Sequence, residues 1–458
     1  MIRWQQLSES QRNDALARPA MDDGEDVRIA VTDILESVRA EGDIALRSYA
    51  QKFDGVSLDA IALTEEERAN LLESLAPDVK AAIDLAFDNI KRFHQAQKSA
   101  DIRVITTPGV NCELRIRPIK QVGLYIPGGS APLPSTVLMA GIPAMIAGCE
   151  NIVLATPVRT AGQVDPSIVY AAQKCGVSQI YQVGGAQAIG ALAYGTDSIP
   201  AVDKIFGPGN RFVTEAKQQV SQQASGAAID MPAGPSEVLV LADGNANPDF
   251  VAADLLSQLE HGPDSQAIVV SCCESLIEQT RAAVNRQVTT LSRQQILNES
   301  INNIRYIYAD DIDTAVAITN RYAPEHLIIQ ADTASQLVNQ IDNASSIFVG
   351  PWSPESVGDY ASGTNHILPT YGYSKVLSSL SLADFTKSFT VQTLSEEGLN
   401  TIADAVMTLA DAEGLDAHKN AVAIRVDALK AQRLNEQAVG NENTDQDGES
   451  ADNESSES

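Results

Sequence analysis

The chain has 458 residues, enough for about three units at roughly 150 residues each. Its 44% hydrophobic content is that of a globular protein rather than a disordered one. Lys plus Arg number 32 against 60 Asp plus Glu, and the resulting charge of −28 argues against a nucleic-acid or anionic-membrane binder, both of which need a basic face.

The N-terminal MIRWQQLSESQRND has no long apolar run, so neither a signal peptide nor an anchor is expected. No stretch approaches the roughly 18 uncharged apolar residues of a membrane span. The cysteines are Cys112, Cys149, Cys175, Cys272 and Cys273, an odd number with no CxxC, which suits free thiols in a reducing cytoplasm.

Residues 1 to about 120 read mainly as helix. Val27, Val31, Ile34, Leu35 and Val38 recur near helical spacing, Gly42 interrupts the run, and Gly55 stops its continuation. PDVKAAIDLAFDNIKRFHQAQ is a second helical run, and CELRIRPI alternates like a strand. From 122 the pattern changes to short apolar strands separated by helices: VGLYIP (122–127), NIVLATP (151–157), SQIYQV (178–183) and DKIFGPG (203–209). After MPAGPS a second series follows: EVLVLAD (237–243), QAIVVSC (266–272), RYIYA (305–309), HLIIQ (326–330) and SIFVG (346–350). Such alternation means βαβ units and parallel sheets, and two series predict two Rossmann-like doubly wound lobes with a cleft between them. No fixed-period repeat is present.

Residues 395–433 return to helix, with Ile402, Val406 and Leu409 on one face and Val422, Val426 and Leu429 on another. These helices are too few for a core of their own and are expected to pack on something else, such as another subunit. The last 25 residues carry eight acids and no Lys or Arg, leaving −28 + 8 = −20 on the body. This tail has almost nothing to bury and is read as disordered. The segments expected are an N-terminal helical arm (1–25), one lobe from 26–120 with 236–380, a second lobe from 121–235, a C-terminal helical arm (381–433) and the acidic tail (434–458).

Five histidines occur. His94, in the charged helical run KRFHQAQK, is read as a surface residue. The other four lie beside Gly, Pro or carboxylates at element ends, where binding groups concentrate. In PDFVAADLLSQLEHGPDSQ, Val251, Leu255 and Leu259 define an inward helical arc; Gln258 falls inside it and His261 just beside it. The C-terminal end of a helix dipole favours a cation there, and a hydrogen-bonded buried pair is the alternative. In NRYAPEHLIIQ, Glu325 and His326 sit where a helix gives way to a strand. Neighbours in a regular strand face opposite sides, so both serve one site only if the turn is irregular. His is the usual base near neutral pH, and a nearby Glu can activate water; an exposed turn is the plain alternative. Asp359 and His366 lie in a Gly/Pro-rich loop after a strand's carboxyl end, where α/β ligands bind. Glu413 and His418 flank a break between two helices. The Gly-rich turns IPGGSAPLPST, QVGGAQAIG and FGPGNRF could cradle a pyrophosphate, but none is GxGxxG and no ribose-binding acid follows.

Taken together, QLEHGPDSQ, APEHLIIQ, GDYASGTNHILPTYGY, FGPGN, IDMPAGPSEVLV and DAHKNAV resemble the histidinol dehydrogenase family, over residues of about 25 to 433. The resemblance implies a cytoplasmic homodimer, with the N- and C-terminal helical arms used in dimerisation, 26–120 with 236–380 as the zinc and substrate lobe and 121–235 as the NAD lobe, that oxidises L-histidinol to the aldehyde and then to L-histidine with two NAD+. It implies one zinc per subunit, held by Gln258, His261 and Asp359 with His418 from the neighbouring subunit. His326 would be the base, Glu325 would activate water, and Ser236, His366 and Glu413 would hold substrate. Gln258, His261, Asp359 and His418 would also face the substrate at the metal, and Tyr125, Gln187 and Asn210 would contact NAD. Cys112 and Cys149, the candidates for an aldehyde-trapping thiolate, neighbour predicted strands without an adjacent base and are expected to be packed structural thiols. The alternatives are a zinc hydrolase using water activated by Glu325, and a non-catalytic amino-acid-binding protein.

Overall fold

The computed structural model describes residues 1–19, 24–128, 131–158, 163–231 and 234–448, with side chains to 437. Parts of the turns IPGGS and MPAGPS, and tail residues 449–458, lie outside the described residues. The strands are β1 (Ile2–Arg3), β2 (Ile102–Thr107), β3 (Val110–Pro118), β4 (Gln121–Tyr125), β5 (Asn151–Ala155), β6 (Gln179–Tyr181), β7 (Lys204–Phe206), β8 (Ala228–Ile229), β9 (Glu237–Ala242), β10 (Gln266–Ser271), β11 (Ile304–Tyr308), β12 (His326–Gln330), β13 (Ser346–Val349) and β14 (Thr386–Leu394). The chain divides into two units, residues 1–98 with 118–387, and residues 99–117 with 388–458.

The first unit holds two parallel sheets. One has strand order β6-β5-β4-β7-β8, the other β1-β11-β10-β9-β12-β13. In each, the first strand of the series (β4 or β9) lies between the second and the fourth, so the chain reverses direction across the sheet at β4/β7 and at β9/β12. Every residue of β9 and β10 is buried, as continuous apolar runs in a doubly covered sheet must be. Leu239, Leu241, Ile268 and Leu327 pack on one face of the six-stranded sheet with Tyr322. Val238, Val240 and Val269 pack on the other, against the Pro248–Leu259 and Glu274–Gln287 helices.

Two placements and one burial differ from the sequence reading. The helices before residue 98 belong to the core of the five-stranded sheet, not to the lobe of 236–380: Val27, Val31, Ile34, Leu35, Val38 and Ile90 are buried in one cluster with Val122, Leu124 and Leu192. Helical periodicity defines an apolar stripe but not the surface that covers it. Burying each such side chain contributes roughly 1.5–3 kcal/mol, so this stripe is a large part of that core. At the N-terminus, β1 pairs with β11 as an edge strand, and Trp4, Ala15 and Leu16 are buried against the six-stranded sheet, where the sequence predicts a separate helical arm. His94 is fully buried rather than on the surface, with Nδ1 3.0 Å from the Ile90 carbonyl oxygen and Nε2 3.2 Å from Asn365 Nδ2.

The second unit contains most of the sheet β14-β3-β2 and the helices Glu396–Ala412 and Asp416–Gly448. Residues 99–117 join the C-terminal arm because β3 is the middle strand between β14 and β2. The last helix continues to Gly448, so residues 434–448 are helical where the composition predicts disorder; no proline interrupts its backbone hydrogen bonding. The two helices of this unit bury Ala403, Ala410 and Val426 but leave Leu409, Ile424 and Leu434 exposed. Deleting residues 436–458 is expected to leave turnover and melting temperature almost unchanged; a large loss of either would assign the tail a structural role. No helix among the described residues is long and apolar enough to cross a membrane.

Candidate active site

A cavity of about 700 Å³ in the first unit is lined by residues of both parallel sheets' connections, among them Pro208, Asn210, Ser236, His261, His326 and His366. The five-stranded sheet offers the carboxyl end of β7 there. The six-stranded sheet offers the amino ends of its strands, since Ser236 precedes β9 and His326 opens β12.

Asn247 caps the Pro248–Leu259 helix by accepting from the Asp249 N–H, Pro248 takes the first position, and Gly262 and Pro263 follow its end. Val251, Leu255 and Leu259 are fully buried, and Gln258 lies with them, while His261 is exposed on the turn beyond. With its amide nitrogen turned to Glu355, Gln258 donates to both carboxylate oxygens at 2.8 and 3.1 Å, which directs its carbonyl oxygen the other way.

Glu325 and His326 do converge. Ala323 ends the Ile312–Tyr322 helix at φ 55°, a left-handed conformation that costs an alanine roughly 1–3 kcal/mol. The turn brings Glu325 Oε2 to 3.6 Å from His326 Nδ1. Nδ1 also faces the Glu237 carbonyl oxygen at 3.2 Å and the Gln258 amide nitrogen at 3.0 Å. A carbonyl can only accept, so Nδ1 carries the ring hydrogen and Gln258 spends its own hydrogens on Glu355. The Nε2 lone pair then lies on the side of Asp359, whose Oδ1 is 3.9 Å away.

Asp359 and His366 follow β13 but are carried back to the amino ends of the strands, not left at the carboxyl end. His366 Nδ1 donates to the Asp359 carbonyl at 2.9 Å and Nε2 accepts from Thr136 Oγ1 at 3.3 Å. Sequence reasoning misses Glu355; it stands four residues before Asp359 on the Glu355–Tyr360 helix, a spacing that places both on one face.

Burial pushes the Glu325 and Glu355 carboxyls well above the usual carboxylate range, and the nearby Asp359 charge acts in the same direction. Burial also lowers His326 to about 4, so its ring is neutral at neutral pH. One ligand atom each from His261, Glu355 and Asp359 lie within 4.8 Å of one another. A buried excess of carboxylate with imidazole and amide oxygen beside it fits a divalent cation.

Of the residues tied to NAD, Asn210 lines the cavity and also caps the Arg211–Ser221 helix, accepting from the Phe212 and Val213 N–H groups. Tyr125 and Gln187 are buried; the Tyr125 hydroxyl accepts from the Gly185 N–H at 3.1 Å. Glu413 and His418 belong to the second unit and are exposed. No cysteine lines the cavity among the described residues, and burial raises the Cys149 thiol to about 12, as expected of a packed thiol.

Parallel α/β sheets with a cation-ready donor cluster beside a buried Glu–His pair define an enzyme of the α/β class. The histidinol dehydrogenase family model matches residues 16–426. The chain is 54% identical over 427 residues to histidinol dehydrogenase of Colwellia psychrerythraea (93% of this chain, 98% of that one) and 54% identical over 432 residues to that of Escherichia coli (94% and 99%). It is similar to the crystal structure of histidinol dehydrogenase from Elizabethkingia anophelis, with TM-score 0.89 and 46% identity over 93% of this chain and 97% of that one. The chain belongs to the histidinol dehydrogenase family, NAD-dependent oxidoreductases of the last two steps of histidine biosynthesis. Membership removes the hydrolase and binding-protein readings.

Proposed function

We propose that this cavity oxidises L-histidinol through the aldehyde to L-histidine, with one zinc and two NAD+, in a cytoplasmic homodimer built of two doubly wound lobes and C-terminal dimerisation arms. The observation that carries the site is the buried Glu325–His326 pair beside the His261, Glu355 and Asp359 cluster. Gln258, His261 and Asp359 hold the zinc, with His418 of the neighbouring subunit; the exposed Leu409 and Ile424 on the C-terminal helices support a covering partner. When bound, the metal supplies a Lewis-acid anchor for the substrate's nitrogens, and NAD+ supplies the hydride acceptor. Ser236, His366 and Glu413 orient the substrate, and Tyr125, Gln187 and Asn210 serve the NAD side. His326 takes the alcohol proton at Nε2. Glu325 takes a proton from the water that adds to the aldehyde, and His326, having released the alcohol proton to solvent, takes the hydrate's proton before the second oxidation.

Adding histidinol and NAD+ should produce two NADH per histidinol. Removing zinc should abolish turnover yet leave the melting transition, because both sheets are held by large apolar cores. His261→Asn should behave likewise and resist full rescue by added zinc. Full activity in the metal-stripped protein would overturn the zinc assignment.

A further inference from the structure

Glu237 is buried at the head of β9, and its carboxylate, N–H and carbonyl are all engaged. Its carboxylate receives a two-pronged contact from Arg18, with Nε 2.6 Å from Oε1 and Nη2 2.9 Å from Oε2. Its N–H donates to Glu325 Oε2 at 2.8 Å, and its carbonyl receives His326 Nδ1 at 3.2 Å. One residue therefore holds both members of the Glu–His pair through its backbone, while its side chain is held by Arg18.

Arg18 also grips the turn that delivers that pair. Its Nη2 donates to the Tyr322 carbonyl at 2.8 Å and reaches the Ala323 carbonyl at 3.3 Å, and its guanidinium lies 4.0 Å from the centre of the Tyr322 ring. The Tyr371 N–H donates to Glu237 Oε1 at 2.6 Å. Ala323 and Tyr371 are the two non-glycine residues with positive φ among the described residues, and both join this network. A strained backbone persists only where its surroundings over-determine it, and a planar five-donor guanidinium can meet a carboxylate and two carbonyls at once where an ammonium cannot.

We infer that Arg18 and Glu237 are positioning residues that set the Glu325–His326 pair, tying the N-terminal segment to the reaction although neither side chain is assigned a place against substrate. The inference rests on the roles given above to Glu325 and His326; the loss of kcat in the His326→Gln single variant tests those roles, and the following cycle tests this one.

The histidinol-to-aldehyde half is measured in the full-length protein for Arg18→Ala, His326→Gln and the double variant. Arg18→Ala should lower kcat about 100-fold with little change in KM for histidinol or NAD, the loss that a displacement of about 1 Å brings. If Arg18 acts through His326, the same change in the His326→Gln background should cost less than about threefold. An equal loss in both backgrounds, or an unchanged kcat in a folded Arg18→Ala protein, would overturn the inference. Should Arg18→Ala not fold, Arg18→Lys keeps the charge without the fork; a kcat loss of about tenfold that vanishes in the His326→Gln background supports the inference, and an unchanged kcat overturns it.

Discussion

His326→Gln is expected to slow oxidation of both histidinol and histidinaldehyde by about 10²–10⁴-fold, the range that a positioned general base contributes. The ring is neutral at neutral pH because burial disfavours its charged form, so it is ready to accept a proton. Glutamine can still donate to the Glu237 carbonyl but cannot take the alcohol proton. Glu325→Gln should separate the two halves. Its side-chain oxygen can still accept from the Glu237 N–H, as Glu325 Oε2 does at 2.8 Å, so the turn should survive. The aldehyde half should suffer more, because water adds there. Supplying histidinol and the aldehyde separately and measuring each rate checks this. Equal losses in both halves would mean that Glu325 only orients His326.

Mixing two dead variants should restore activity. His326→Ala and His418→Ala homodimers are each expected to be nearly inactive. In a mixed dimer one site collects both lesions and the other collects two intact contributions. Random 1:1 mixing makes one half of the dimers mixed, each with half its sites whole, so about one quarter of wild-type sites return under two-fold symmetry. The exposed position of His418 is what a residue serving a neighbour requires. Co-expression with separable tags isolates the mixed dimer, and its activity is read directly. Verified mixed dimers that stay inactive would place His418 within its own chain's site.

Much of this was legible in the residues themselves. The nine apolar strand segments of the two series all form strands, because a buried parallel strand needs a short continuous apolar run and little else nearby resembles one. The helix that carries Gln258 was readable from its arc of Val251, Leu255 and Leu259 and from the Gly262–Pro263 stop. The motif blocks around His261, His326 and Asp359 carried the family.

What the residues did not show is where faces meet. His94 sits among charges on its helix yet is buried, because Asn365, 271 positions away, supplies its partner. The stripe from Val27 to Val38 covers the five-stranded sheet, and periodicity is the same whichever surface covers it. Two-residue β1 is too short for alternation to register and exists only because β11 offers an edge. Arg18 and Glu237 stand 219 positions apart, and nothing local to either announces the pair. Local pattern records whether a side chain leaves water; which distant group it meets is set by the packing of whole elements, and only the tertiary structure decides it.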